Sequence, residues 1–209
     1  MPSSISFLIC ATALVLGQLG DQSKPSVLPN QPKALVESLY TQVVARPPGG
    51  LPKPSAMRIL APFLSKTLLH RIDLARACEH DYFRQNRGRY AKAPIAWLEA
   101  GLFSGSDERT DPTAFAIERT ESEKDGPVHV YVRLKWWQTS DNSADIYYAT
   151  PNRPYIWQVA AIVVRENGHF VVDDVIYLKD KDYDTESRLS ELLSKGCEGP
   201  RWVGYRDAN

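Results

Sequence analysis

Apolar positions recur at helical spacing through residues 33–46, where Leu35, Val36, Leu39, Tyr40 and Val43 fall on one stripe, which predicts a core-facing amphipathic helix. The Pro/Gly run Arg46-Pro47-Pro48-Gly49-Gly50 stops it, and a short helix over 56–61 must end before Pro62. From Ser65 as N-cap a longer helix runs to about Asn86. Leu68, Leu69, Ile72, Ala75 and Cys78 face inward; Lys66, Arg71, Asp73, Arg76 and Glu79 face mostly outward. The basic face reads first as solvated helix surface, with an anion site as the sharper alternative.

Beyond a loop containing Gly88, Pro94, Gly101 and Gly105 the period changes from helical to alternating. Residues 113–121 are expected to form a first strand. After a turn at Lys124-Asp125-Gly126-Pro127, Val128, Val130, Val132, Leu134 and Trp136 alternate with His129, Tyr131, Arg133, Lys135 and Trp137. Residues 138–154 form a polar insertion long enough to need a reason. Two β-rich runs then flank Asn167-Gly168, a dipeptide suited to positive φ at both centres of a type I′ turn. A regular hairpin about that turn sets Val163 opposite Val172, Ala161 opposite Asp174, Val159 opposite Ile176 and Trp157 opposite Leu178. One face would hold Trp157, Val159, Ala161, Val163, Phe170, Val172, Asp174, Ile176 and Leu178. The other would hold Gln158, Ala160, Ile162, Val164, Val171, Asp173, Val175 and Tyr177. Both faces are apolar enough to need cover, the second from the C-terminal tail or a second subunit. A last short helix through Leu189, Leu192 and Leu193, capped by Asp184 or Thr185, ends at Gly196 and leads into Cys197, Trp202, Val203 and Tyr205. The expected class is α+β: N-terminal helices packed on a curved antiparallel sheet of about four strands, with a short C-terminal helix.

Composition narrows the function classes. With 209 residues and 43% apolar content, one core is the natural solution. Twenty-five basic residues balance twenty-five acidic ones, so the field that would recruit nucleic acid or anionic lipid is absent. The apolar run from Ile5 to Leu16 has signal-peptide length, not membrane-span length. The expected division is a signal peptide over 1–20, a flexible linker over 21–32 and a single domain over 33–209, with no membrane span once the signal is removed. Ile9 is too bulky before Cys10 for lipoprotein processing, so Cys10 is read as discarded with the signal. Cys78 and Cys197 remain, and in a secreted or periplasmic chain they are expected to form one disulfide; two unrelated buried thiols are the alternative.

The order of helices, a long loop and antiparallel strands resembles the nuclear-transport-factor-2-like superfamily. Its closing pattern is matched most specifically: a Trp-x-Val strand at Trp157, a charged-Asn-Gly turn at Glu166-Asn167-Gly168, and Phe170-Val171-Val172-Asp173-Asp174-Val175 with Tyr177 beyond. The likeness is to a secreted bacterial branch and covers about residues 33–180. The resemblance implies a cone in which a curved sheet wraps a helix, often around a pocket. It does not carry function, because the superfamily includes isomerases, dehydratases, transport adaptors and immunity-type binders.

Candidate chemistry centres on Asp173 and Asp174, which alternation sends to opposite faces, so they cannot act as a carboxylate dyad. Asp174 falls on the more apolar face, where an unpaired charge would be costly. The resemblance implies a pocket in which such a carboxylate serves as a base; Asp174, Tyr40, Arg71 and Trp157 are its candidate members. Tyr40, Arg71 or another helix group could equally satisfy the carboxylate. His70, His80, His129 and His169 lack metal-ligand spacing, and no phosphate loop or nucleophile elbow occurs, so no metal and no cofactor is expected. Two readings follow. The favoured one is a non-catalytic binding module for an unknown envelope protein, with Trp137, Tyr147 and Tyr148 as its candidate surface. The alternative is a protein that binds a small ligand, with isomerase-like acid–base chemistry at Asp174. Ile162, Val164, Val171 and Val175 on the second hairpin face further suggest a homodimer.

Overall fold

The computed structural model describes residues 31–88, 101–106, 111–122, 124, 126–137, 154–179 and 185–205. The expected signal segment with Cys10, residues 21–30 of the linker, Asp184, and the 138–153 insertion with Tyr147 and Tyr148 lie outside the described residues. Helices α1 (Pro32–Ala45), α2 (Pro54–Leu60) and α3 (Lys66–Gln85) come first, with a 3-10 turn, Ala61–Phe63, between α2 and α3. Strands β1 (Ala114–Ser122), β2 (Val128–Trp136), β3 (Tyr155–Glu166) and β4 (His169–Tyr177) follow. The chain ends with β5 (Ser187–Arg188), α4 (Leu189–Ser194), β6 (Cys197–Glu198) and β7 (Arg201–Trp202).

Prolines sit where a missing N–H costs nothing. Pro32 and Pro54 open α1 and α2, and Pro62 lies in the 3-10 turn that continues α2. The Ser65 hydroxyl caps α3 by accepting from the Leu68 N–H at 2.9 Å. Strands β1 to β5 form one antiparallel sheet in sequential order, so the class is α+β with one strand more than expected. A separate two-stranded ribbon, β6–β7, was not foreseen.

The β2 alternation holds: Val130, Val132, Leu134 and Trp136 are buried on the face that meets Leu35, Leu39 and Tyr40 of α1 and Leu68 and Ile72 of α3. Trp157, Val159, Ala161 and Val163 of β3 join that core. The turn also forms at the expected place, with Asn167 at φ 51° and Gly168 at φ 83°.

The regular register fails beyond Val172. Val163 still opposes Val172, but Ile162 opposes Asp174, Ala161 opposes Val175 and Val159 opposes Tyr177. Asp173 is the extra residue of a β-bulge, and one inserted residue exchanges the two faces of everything after it. Val175 and Tyr177 therefore turn toward the main core. Asp174 and Ile176 turn to the other face, where Ala160, Ile162 and Ile176 cluster with Tyr131 and Leu178. Of the four residues that suggested a second subunit, Ile162 and Val171 are each only 7% exposed within a single chain, Val164 is half-buried, and Val175 lies in the core. The tail does not cover that face: Trp202 packs on Tyr82 of α3, because its neighbour Cys197 is tied to that helix.

The outer edge of β4 has a different partner on each side of the bulge. Leu64 bridges to Val172, with the Ser65 N–H donating to the Val172 carbonyl at 2.8 Å. Further along, β5 pairs with Ile176 and Tyr177. Asp173, the extra residue, lies between these two edge contacts. At the opposite edge β1 carries its own irregularity between Ile117 and Arg119 and the charges Glu118, Arg119 and Glu121, which discourage further strand addition.

Candidate functional site

Between α1 and the inner face of the sheet the chain inserts a segment of its own. Gly101, Leu102, Phe103, Ser104 and Ser106 are buried in a tight loop closed by hydrogen bonds from the Gly101 N–H to the Ser106 carbonyl, 2.8 Å, and from the Gly105 N–H to the Gly101 carbonyl, 2.7 Å. Three aromatic side chains from three elements donate to three consecutive main-chain carbonyls. Tyr177 Oη reaches the Leu102 oxygen at 2.5 Å, Tyr40 Oη the Phe103 oxygen at 2.7 Å, and Trp157 Nε1 the Ser104 oxygen at 2.7 Å. Buried carbonyls and buried Tyr and Trp donors each require a partner, and here each satisfies the other. Gly105 is obligatory: its φ is +66°, and a Cβ would stand 2.6 Å from the Tyr177 ring. Burial drives the Tyr40 and Tyr177 phenols well above their ordinary pKa, so both stay neutral donors.

Two of the expected pocket residues, Tyr40 and Trp157, thus meet on this plug, and Tyr177 joins them through the bulge. Displacing the plug would re-expose Leu102 and Phe103, about 1.5–3 kcal/mol each. It would also break three hydrogen bonds worth about 1 kcal/mol apiece.

Asp174 stands apart from the plug. Its Oδ1 accepts from the Ser190 N–H at 3.0 Å and from the Val175 N–H at 2.9 Å, and its Oδ2 accepts from the Ser190 hydroxyl at 2.6 Å. The carboxylate holds the first turn of α4 where Asp184 or Thr185 was expected to cap. Asp173 accepts from the Ser65 hydroxyl at 2.5 Å, and Glu166 accepts from the Lys66 N–H at 3.2 Å. Adjacent aspartates on the bulge therefore serve the starts of two different helices, where carboxylates are favoured by the exposed N–H groups and the dipole.

Arg71 is brought near Ser190, not to Asp174 directly. It lines a groove of about 340 Å³ between α3 and α4 with Leu74, Ser190, Glu191, Leu193 and Ser194. About two turns further along α3, Cys78 forms a disulfide with Cys197, which also lines that groove, with Cα atoms 6.1 Å apart. It clamps the ribbon on which the Trp202 N–H donates to Asp81 Oδ2 at 3.0 Å. Asp81 also receives Arg84 and, at 2.7 Å, Gln85. That main-chain donor first, then Arg84 and Gln85, holds the Asp81 carboxyl below the ordinary range against the opposing effect of burial. Trp137 is 42% exposed, with Lys135 Nζ 4.2 Å above its ring and Ile156, 48% exposed, on the neighbouring strand. Among the described residues no three His, Cys, Asp or Glu side chains gather as a metal site, and no helix is long and apolar enough to cross a membrane.

Sequence reasoning missed the plug and the buried Asp81. A detectable signal for the first was Leu102-Phe103 flanked by Gly101 and Gly105, with several Tyr and Trp donors on inward strand and helix positions and no assigned acceptors. Comparison with protein-family models, curated proteins and solved structures finds no match to this chain.

Proposed function

We propose that this chain is an exported, non-catalytic binding module that engages an envelope or extracellular protein through its surface. The observation that carries the reading is the plug. Residues 101–106 lie between α1 and the sheet, and the Tyr40, Tyr177 and Trp157 donors that could orient a ligand there are spent on their carbonyls. Asp174, the one acid considered as a base, has both oxygens committed to the start of α4. The Cys78–Cys197 disulfide and the apolar leader support export into an oxidising compartment. Helices followed by an antiparallel sheet support placing the chain with the nuclear-transport-factor-2-like superfamily, as a member whose pocket is closed.

The test immobilises the oxidised protein and passes envelope extract over it, with native mass spectrometry of the purified protein in parallel. The expected result is reproducible capture of one protein species, retained by Trp157→Phe and weakened by a surface change. A stoichiometric small molecule in the native spectra, lost in Trp157→Phe, would sink the reading and restore the small-ligand alternative.

A further inference from the structure

The two ends of the disulfide are unequally sheltered. Cys78 is fully buried on α3, whereas Cys197 is half-buried and lines the groove between α3 and α4. A reagent in solution therefore meets the Cys197 end of the bond first. What the bond secures is also set apart from the rest of the domain. Cys78, Tyr82, Cys197 and Trp202 pack with Leu51 and Leu192 in a small cluster, and none of the four belongs to the main core that holds Leu35, Phe103 and Val130. The ribbon pairs Cys197 with Trp202 and Glu198 with Arg201, and two strands of two residues are too short to hold together unaided in water. Trp202 ties it to α3: its N–H donates to Asp81 Oδ2 at 3.0 Å, and its carbonyl accepts from the Gln85 side-chain amide at 3.2 Å. Both bonds need an ordered ribbon backbone, and the covalent link is what restricts that backbone.

We propose that the Cys78–Cys197 bond is a redox latch: a protein dithiol opens it at Cys197 in the folded molecule and frees residues 196–205, while the sheet and its core stay in place. The latch works whether or not the surface binds a partner. In the exchange a thiolate of the dithiol attacks the Cys197 sulfur, the S–S bond breaks, and the Cys78 thiolate leaves and takes a proton from water. The second thiol of the dithiol gives up its proton and attacks the dithiol's own sulfur in the mixed disulfide, and Cys197 leaves as a thiolate that is protonated in turn. Two electrons pass to the protein, which gains two thiols, and the dithiol becomes a disulfide. Once freed, the ribbon no longer covers Tyr82, which is 5% exposed while it is docked. Asp81 keeps Arg84 and Gln85 but loses the Trp202 N–H. The docked and released states thus present different surfaces on α3.

The experiment exposes the oxidised protein to dithiothreitol without denaturant, alkylates samples at intervals and reads the products by intact mass, beside the global unfolding rate measured in urea and extrapolated to water. Reduction is expected to accelerate in proportion to dithiothreitol and to outrun global unfolding by about tenfold or more. Hydrogen exchange of the reduced protein should show protection lost at residues 196–205 and kept at 101–106, with reoxidation restoring the ribbon. A dithiol oxidoreductase whose second active-site cysteine is replaced by serine stalls at the mixed disulfide, and peptide mapping should find it on Cys197. A reduction rate that levels off at the unfolding rate, an adduct on Cys78, or protection lost at 101–106 as well would overturn the proposal. So would a reduced protein whose ribbon stays protected.

Discussion

Two short irregular segments, residues 101–106 and 196–205, lie against the same framework of helices and sheet and are held by opposite means. The first is buried. It has no charge, two large apolar side chains in the core and three neutral hydrogen bonds to its carbonyls. The second lies at the surface, with Val203 and Tyr205 about half exposed, and depends on a covalent bond, a carboxylate and aromatic edge contacts of Trp202 with Tyr82 and Tyr205 at 5.1 and 5.4 Å. Where a segment can be enclosed, burial and hydrogen bonds suffice. Where the surface is too open to bury it, a cross-link reduces the entropy of the alternatives instead.

The comparison breaks first at the cross-link. Cys78 and Cys197 are 119 residues apart, so Cys197→Ser should lower the unfolding free energy by roughly 4–5 kcal/mol in the chain-entropy picture, measured by urea denaturation. The ribbon amides should lose hydrogen-exchange protection while those around residue 103 keep theirs. Next comes the plug: Phe103→Ala should cost about 3–5 kcal/mol through lost burial and an internal cavity, with the disulfide still formed by mass. If Phe103→Ala loosened the ribbon as much as the plug, the two segments would be one cooperative unit and the contrast would fail. A smaller loss, about 1–3 kcal/mol, is expected for Trp157→Phe, which keeps an aromatic ring, removes the indole N–H with part of the side-chain volume, and leaves the Ser104 carbonyl without its donor.

The same two regions explain what could be read from the sequence. Alternation in β2, the Asn167-Gly168 turn and the Ser65 cap are local: each depends on residues within a few positions. The disulfide was legible by elimination, since removal of Cys10 leaves two cysteines. The plug was not legible, because Tyr40, Trp157 and Tyr177 find their acceptors 63, 53 and 75 residues away. The bulge at Asp173 failed for a related reason. Nothing in Val172-Asp173-Asp174-Val175 reveals that Ser65 will meet the strand edge on one side of Asp173 and β5 on the other. That single residue reversed the expected faces of Asp174 and Val175, and with them the ground for reading Asp174 as a pocket acid.

pH gives the finest test of the contrast, because the two segments titrate at opposite ends. The Asp81 carboxyl lies below its ordinary value while the ribbon is docked, so the undocked form binds more protons as pH falls. Its contribution is complete above about pH 4, the unperturbed carboxylate range, and is lost as pH drops through the lowered folded value. For Tyr40 and Tyr177 the folded values lie above the ordinary phenol, so the unfolded state releases protons first as pH rises. The plug's contribution is complete below about pH 10 and is lost at higher pH. The protection factor of the Trp202 amide, taken relative to intrinsic exchange at each pH, should therefore fall in acid and become insensitive to it in Asp81→Asn, while that of Phe103 holds through the acid range and falls only in alkali. A plug that opened together with the ribbon in acid would show that the surface clamp, and not burial, controls both.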